Sequence, residues 1–397
     1  MKLSKRAESL QPSATLAITS KAKQLKAEGI DVIGFGAGEP DFATPGSIVN
    51  AAIKSLEAGE THYTPVGGSP ALKSAICDFI KREYGLEYSA AEVTASCGAK
   101  HTLFNIFMAL LDEGDEVVIP APYWVSYPEQ VALAGGVPVI AEVSEGEDFL
   151  LTPEILEATL TPKTKAVVLN SPSNPSGAML DADRLAGIAG VLEGRDIVVI
   201  SDDIYHKLVY EGEFVSILSV APALKDRVII VNGVSKTYAM TGWRIGFAAG
   251  PKNIISAMEK IQGQSTSNPT SFAQRGAIEA LIGDQSCVAE MVDTFKKRRQ
   301  LLVDSLNAID KVTCAMPTGA FYAFPSIAAY VGAKFGETVI NDSMDIAAFL
   351  LEEAKVAVVP GTPFGAPMNM RLSYATSDNN IIEGVRRIRE AFGKLEF

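Results

Sequence analysis

The residue with the most chemical promise is Lys236, in the run Gly-Val-Ser-Lys-Thr-Tyr-Ala-Met-Thr-Gly-Trp-Arg-Ile-Gly at 233–246. A lone lysine in a loop is usually a solvated surface charge. This one follows a hydrophobic run, is bracketed by small residues and precedes Arg244 by eight positions. A desolvated amine beside a fixed guanidinium has a lowered pKa; such an amine can form a Schiff base with a carbonyl while the arginine holds a phosphate. Gly98, Ala99 and Lys100 open a helix after a strand, where free amides and the helix dipole favour a dianion by roughly 0.3–2 kcal/mol. Only three histidines occur, His62, His101 and His206, and none has metal-ligand spacing, so acid–base work falls to another residue and no metal site is expected.

These residues need a scaffold. Between about 90 and 250, short β-branched runs at 116–119, 137–143, 166–169, 197–200, 228–231 and 245–249 alternate with helical stretches at 100–111, 153–160, 181–192 and 251–262. Several of the runs are continuously apolar, as strands covered on both faces should be, which predicts an α/β domain with a mostly parallel sheet. Loop signals follow the runs at 120–124, 170–177, 201–203 and 232–236. In open α/β sheets ligands bind beyond the carboxyl ends of the strands, so these four loops are expected to converge on one site. A charged helix over 295–306, with Lys296, Lys297, Arg298 and Arg299 read as a solvated face, leads into mixed strands and helices.

The segment 233–246 resembles the signature around the cofactor lysine of class I pyridoxal-phosphate aminotransferases. Further motifs of that family stand in order over nearly the whole chain: GAGEPDF (36–42), THYTPVGG (61–68), GAK (98–100), PYWVSYP (122–128), NSPSNPSG (170–177), SDDIY (201–205) and NMRLSYATS (369–377). The resemblance implies a fold-type I pyridoxal 5'-phosphate transferase. It would have an N-terminal segment (1–45) joining a small α+β domain (289–397) and a large cofactor domain (46–288).

By the same resemblance, Lys236 would carry the cofactor and then shuttle the substrate's proton, and Asp202 would pair with the pyridine nitrogen. Tyr205 and Asn174 would hydrogen-bond the ring's phenolic oxygen. Trp124 would stack on the ring. Gly98, Ala99, Lys100, Ser235 and Arg244 would hold the phosphate, with Gly233 standing where the family often has a serine. Tyr63 would reach the phosphate of a neighbouring subunit, implying a homodimer with shared sites. Arg371, with Asn174 and the backbone near Gly38, would clamp the substrate's α-carboxylate. Asp203 reads as an ordinary N-cap.

The GAK form of the phosphate loop resembles the bacterial and archaeal branch of aspartate aminotransferases, in which the Lys100 position, with the Ser13 and Thr15 hydroxyls, meets a distal carboxylate. Aspartate with 2-oxoglutarate is therefore the expected substrate pair, exchanged by a ping-pong mechanism. Aromatic amino acids and prephenate remain alternatives, although Gln11 occupies the position before Pro12 where prephenate-active relatives carry a basic residue. A carbon–sulfur lyase and an amino-acid-sensing regulator are further uses of the same fold; the regulator would need a DNA-binding module.

Composition agrees with a small-molecule enzyme. The 397 residues are 47% hydrophobic and 21% charged, and the net charge of −12 disfavours nucleic acid and anionic lipid as partners. Four scattered cysteines, Cys77, Cys97, Cys287 and Cys314, with no secretory or membrane-spanning stretch, suggest free thiols in a cytoplasmic protein.

Overall fold

The computed structural model describes residues 2–10 and 14–397, and only the backbone of residues 5, 9, 14–17 and 19. Its central sheet has seven strands: β1 Val93–Ser96, β2 Glu116–Ala121, β3 Val137–Glu142, β4 Thr164–Asn170, β5 Val198–Asp202, β6 Val228–Gly233 and β7 Gly246–Ala249. They lie in the order β1-β7-β6-β5-β4-β2-β3. The run from β6 to β3 is parallel, and β7 is antiparallel to both its neighbours.

Alternation within the strands explains why they read as unbroken apolar runs. Val117, Ile119, Ala166, Val168, Ile229 and Val231 point into one core, where Leu103, Ile106 and Phe107 of the helix Ala99–Leu110 and Ile255 and Met258 of the helix Lys252–Gly263 meet them. Val118, Val167, Leu169, Val228 and Ile230 point the other way, onto Leu72, Ile76 and Phe79 of Pro70–Tyr84 and Leu185 and Ile188 of Ala182–Leu192. Each of the Val, Leu, Ile, Phe and Met side chains contributes about 1.5–3 kcal/mol on burial, so neither face tolerates a polar residue at these positions.

The expected strands are present and mostly run a residue or two beyond their predicted ends. β1 is the strand expected ahead of the helix start at 98–100, but its bounds carry no clear sequence signal, because Val-Thr-Ala-Ser is short and only half apolar. The charged helix is longer than its sequence pattern, Ser286–Asn307. Its basic run is not a solvated face: Arg299 is buried and donates to the Pro317 carbonyl at 2.7 Å and to Glu211 at 2.8 Å, and Arg298 makes two bonds to Asp41 at 2.9 and 3.0 Å. Only Lys296 and Lys297 of the four face water.

A second core gathers residues from both ends of the chain, among them Phe35, Phe295, Phe321, Leu372 and Ile388. Ile33–Gly34 pairs in parallel with Val356–Ala357, and an antiparallel sheet is formed by Val359–Pro360, Met370–Ser373 and Tyr322–Ala323. Ile204, Tyr205 and Leu208, just beyond β5, also pack into this core, so the two cores meet at the carboxyl end of the central sheet. Among the described residues no helix is long and apolar enough to cross a membrane, and the four cysteines are unpaired.

Candidate active site

Register places the first polar groups. Asn170 at the end of β4 lies opposite Asp202 at the end of β5, which lies opposite Val231 of β6. The Asn170 side chain donates to the Asp202 carbonyl at 2.8 Å and accepts from the Asn174 amide at 2.9 Å, tying the 170–177 loop to the next strand. The Ser171–Pro172 and Asn174–Pro175 peptides in this loop are cis. The Asn174 side-chain oxygen in turn accepts from Arg371 Nη1 at 2.9 Å, while Arg371 Nη2 donates to the Gly36 carbonyl at 3.0 Å. Arg371 is 2% exposed, its Nε has no partner, and its guanidinium lies 4.4 Å from the centre of the Tyr322 ring. Burial pulls its pKa below the usual arginine value. A buried fork-shaped cation with an unpaired donor is suited to a carboxylate.

Asp202 is fully enclosed. Tyr127 donates to its Oδ2 at 2.6 Å, and the Ile204 amide reaches Oδ1 at 3.4 Å. Burial lifts its carboxyl to about 6, against the opposing pull of the Tyr127 hydrogen bond, the Ile204 amide and the charge of Lys236. Asp203 is not an N-cap. Its side chain turns into the core, where Oδ1 accepts from Ser201 at 2.7 Å and Oδ2 has no partner, and burial pushes it well above the carboxylate range. Tyr205 shares a 2.9 Å hydrogen bond with Tyr322.

The antiparallel return of β7 brings the cations together. β6 ends at Gly233 and β7 starts opposite it at Gly246, so the connection begins and ends at the same edge of the sheet and holds both Lys236 and Arg244 there. Gly246 is required by close approach: a Cβ on it would come within 2.2 Å of the Ala99 nitrogen at the start of the helix Ala99–Leu110. Gly98, at φ +87°, caps that helix with no side chain, and a Cβ there would lie 2.4 Å from Arg244 Nη2. Arg244 itself adopts a left-handed backbone (φ 58°) and donates to the Thr241 carbonyl at 2.9 Å and the Cys97 carbonyl at 3.3 Å. An uncapped helix start with an arginine across it is a ready anion cradle.

Lys236 is half-buried and donates to the Gly38 carbonyl at 2.5 Å. Desolvation lowers its pKa to about 8; Glu39 and Asp202 oppose the shift, and Arg371 and Arg244 add to it. Lys100 lies 4.9 Å above the Trp124 ring, with its pKa lowered by burial and by Arg244. Trp124 packs edge-on against Tyr127, their ring centres 5.3 Å apart. Ser235 is buried beside Lys236.

Most of the residues singled out in the sequence therefore gather at one edge of the sheet. Tyr63 does not join them; it is 90% exposed. Ser13 lies outside the described residues, as does the side chain of Thr15. Sequence reasoning missed Asn170, Tyr127 and Tyr322. The first two sit inside quoted motifs with no role attached, whereas Tyr322 lies on a two-residue strand too short for any periodic signal.

The chain is 54% identical over 389 residues to an aspartate aminotransferase of Geobacillus stearothermophilus, an alignment covering 98% of each protein. It is 49% identical to an aspartate/prephenate aminotransferase of Nitrosomonas europaea over 98% of this chain and 99% of that one. The crystal structure of the aspartate aminotransferase from Rhizobium meliloti superposes with a TM-score of 0.96 at 45% identity, covering 100% of both chains. Residues 30–388 match the family model for aminotransferase class I and II, and the chain belongs to that family, whose members depend in general on pyridoxal phosphate.

Proposed function

We propose that the protein transfers the amino group of L-aspartate to 2-oxoglutarate, using pyridoxal 5'-phosphate, by a ping-pong mechanism. The observation that carries this reading is the convergence of Lys236, Asp202, Arg244 and Arg371 on one edge of the sheet, with Lys100 beside Trp124.

The residues fit the cofactor. The uncapped helix start at Gly98, Ala99 and Lys100 and the Arg244 guanidinium match a phosphate dianion, with Ser235 as hydroxyl donor. Asp202, a buried carboxylate without a cationic partner at hydrogen-bonding distance, matches a protonated ring nitrogen, and Trp124 offers a stacking face. When bound, the cofactor supplies an electron sink for the pair left behind when the substrate's Cα–H bond breaks.

The chain's own groups do the rest. The Lys236 amine would hold the cofactor and, when free, would take the proton from the substrate's Cα. Asp202 holds the ring nitrogen in its protonated form. Tyr205 and the Asn174 amide nitrogen, the Asn174 oxygen being already engaged by Arg371, would hold the cofactor's phenolic oxygen. Arg371 and the backbone near Gly38 fix the α-carboxylate and so orient the Cα–H bond. Lys100 meets the distal carboxylate, together with the Ser13 and Thr15 hydroxyls. Closure of a small domain (1–45 with 289–397) over the large one (46–288) excludes water. The exposed Tyr63 completes the phosphate site of a second copy of the chain in a cytoplasmic homodimer.

Prephenate is a second acceptor to test, because relatives named for aspartate and for aspartate/prephenate are similarly close. In the deciding experiment, protein loaded with pyridoxal phosphate is mixed with aspartate and the cofactor absorbance followed. The band shifts and oxaloacetate appears; 2-oxoglutarate restores the band. Parallel arms use prephenate as acceptor and aromatic amino acids as donors. Release of pyruvate or ammonia would identify a lyase, and protein that takes up no cofactor would sink the proposal.

The pKa of Lys236 makes a separate prediction. A lysine amine reacts with a carbonyl only when unprotonated, so capture of pyridoxal phosphate by the apoprotein slows about tenfold per pH unit below about 8 and levels off above it. An ordinary lysine would keep accelerating to beyond pH 10. Stopped-flow capture rates from pH 6 to 10 distinguish the two.

A further inference from the structure

Among the described residues, Asp202 is approached by one side-chain hydrogen-bond donor. Tyr127, on the helix Ser126–Leu133, is 2% exposed and donates its phenol proton to Asp202 Oδ2 at 2.6 Å. The other protein contact to the carboxylate is the long 3.4 Å approach of the Ile204 amide. Tyr127 is itself held in place: its ring meets Trp124 edge-on at 87°, and its amide donates to the Trp124 carbonyl at 3.0 Å. The charged and titratable groups facing Asp202 are Tyr127, Lys236 from the loop after β6, and Asp203 and Tyr205 from its own segment.

We propose that Tyr127 is a positioning residue for the reaction: its phenol fixes the aim and the negative charge of the Asp202 carboxylate, and thereby the grip of that carboxylate on the cofactor's ring nitrogen. This rests on the cofactor reading given above. A buried carboxylate can meet a ring N–H only as an anion, and desolvation works against the anion. Asp203 next door, its pKa pushed up by burial, is hydrogen-bonded to Ser201 and donates nothing to Asp202. Lys236 helps from a distance, but its amine is the group that would hold the cofactor and so is not reserved for Asp202. The phenol is the donor that remains through the whole cycle, and it offers a proton without taking one, because burial and the neighbouring carboxylate hold its own pKa well above the usual tyrosine value. The same ring leans on Trp124, so the group aiming the carboxylate also braces the residue assigned to the cofactor's face.

The test is binding of pyridoxal phosphate to the full-length apoprotein as a function of pH, alongside ¹³C NMR titration of the Asp202 carboxyl without cofactor. In the unaltered protein, affinity falls as pH drops through about 6, where Asp202 takes up a proton. Tyr127→Phe moves that limb and the carboxyl titration up by about one pH unit and weakens binding about tenfold at neutral pH. Substituting 3-fluorotyrosine at 127, a more acidic donor of nearly the same shape, moves both down. In an Asp202→Asn background Tyr127→Phe causes no further loss of cofactor affinity. Limbs that coincide in all three proteins, or a Tyr127→Phe loss that persists in the Asp202→Asn background, would overturn the proposal. Should Tyr127→Phe not fold, the fluorotyrosine shift decides. Apoprotein that binds no pyridoxal phosphate at any pH defeats the cofactor reading instead, and the carboxyl titration still judges the role of Tyr127.

Discussion

Replacing Lys236 by alanine is expected to lower turnover at least about 10⁴-fold, since general acid–base transfer alone supplies roughly 10²–10⁴ and the covalent attachment is lost as well. The fold should survive. Among the described residues Lys236 makes one hydrogen bond, to the Gly38 carbonyl, and a desolvated amine whose pKa has dropped to about 8 is a cost to the folded state rather than a support. Because the lysine is charged in the unfolded chain up to about pH 10.4, and in the folded chain only up to about 8, its contribution to stability rises with pH between those values and is least favourable below 8. The alanine variant should therefore melt no lower than the parent at pH 7. Lys236→Arg is a useful companion: it keeps a cation in place but cannot give up its proton, so it should be equally inactive. Calorimetry with single-turnover kinetics measures both sides, and steady-state activity within tenfold of the parent in either variant would refute the assignment.

The second large effect separates two neighbours. Asp202→Asn should reduce kcat/KM by on the order of 10²–10³, because a buried cation loses its partner, whereas Asp203→Asn should stay within about tenfold. The two side chains are adjacent in sequence and both are buried, but they face different surroundings. Asp202 accepts from Tyr127 and feels Lys236; Asp203 accepts from Ser201, and burial raises its pKa and so favours the neutral form that asparagine copies. Equal losses in the two variants would mean that the charge assignment is wrong.

How much of this was legible in the sequence depends on which interactions set each feature. The strands at 166–169 and 228–231 were readable because both faces are buried and the apolar run is continuous. The position of Asp202 followed from its place at a strand end. Sequence spacing cannot reveal partnerships across the fold. The bonds of Arg371 to Asn174 and Gly36, and of Tyr127 to Asp202, join residues far apart in the chain. Arg298 and Arg299 illustrate the opposite error. A basic run on a helix looks solvated until a carboxylate, a carbonyl and an aromatic ring arrive from elsewhere, as Asp41, Pro317 and Tyr210 do here. Left-handed Arg244 gave no sequence signal at all, since the glycines around it are the residues that usually mark such turns.

The pairing of Ile33–Gly34 with Val356–Ala357 also sets a timetable for making the protein. The first of these segments leaves the ribosome more than 300 residues before the second exists. At about 5–20 residues per second, that is a wait of roughly 15–60 s. Meanwhile the central sheet, whose strands all lie between Val93 and Ala249, can be completed, but Ile33 still lacks its strand partner Val356, and Phe35 lacks Leu372 and Ile388 of its core. The nascent chain thus carries an incompletely covered apolar segment until its last tenth emerges, and this is the stretch a holding chaperone would be expected to shield.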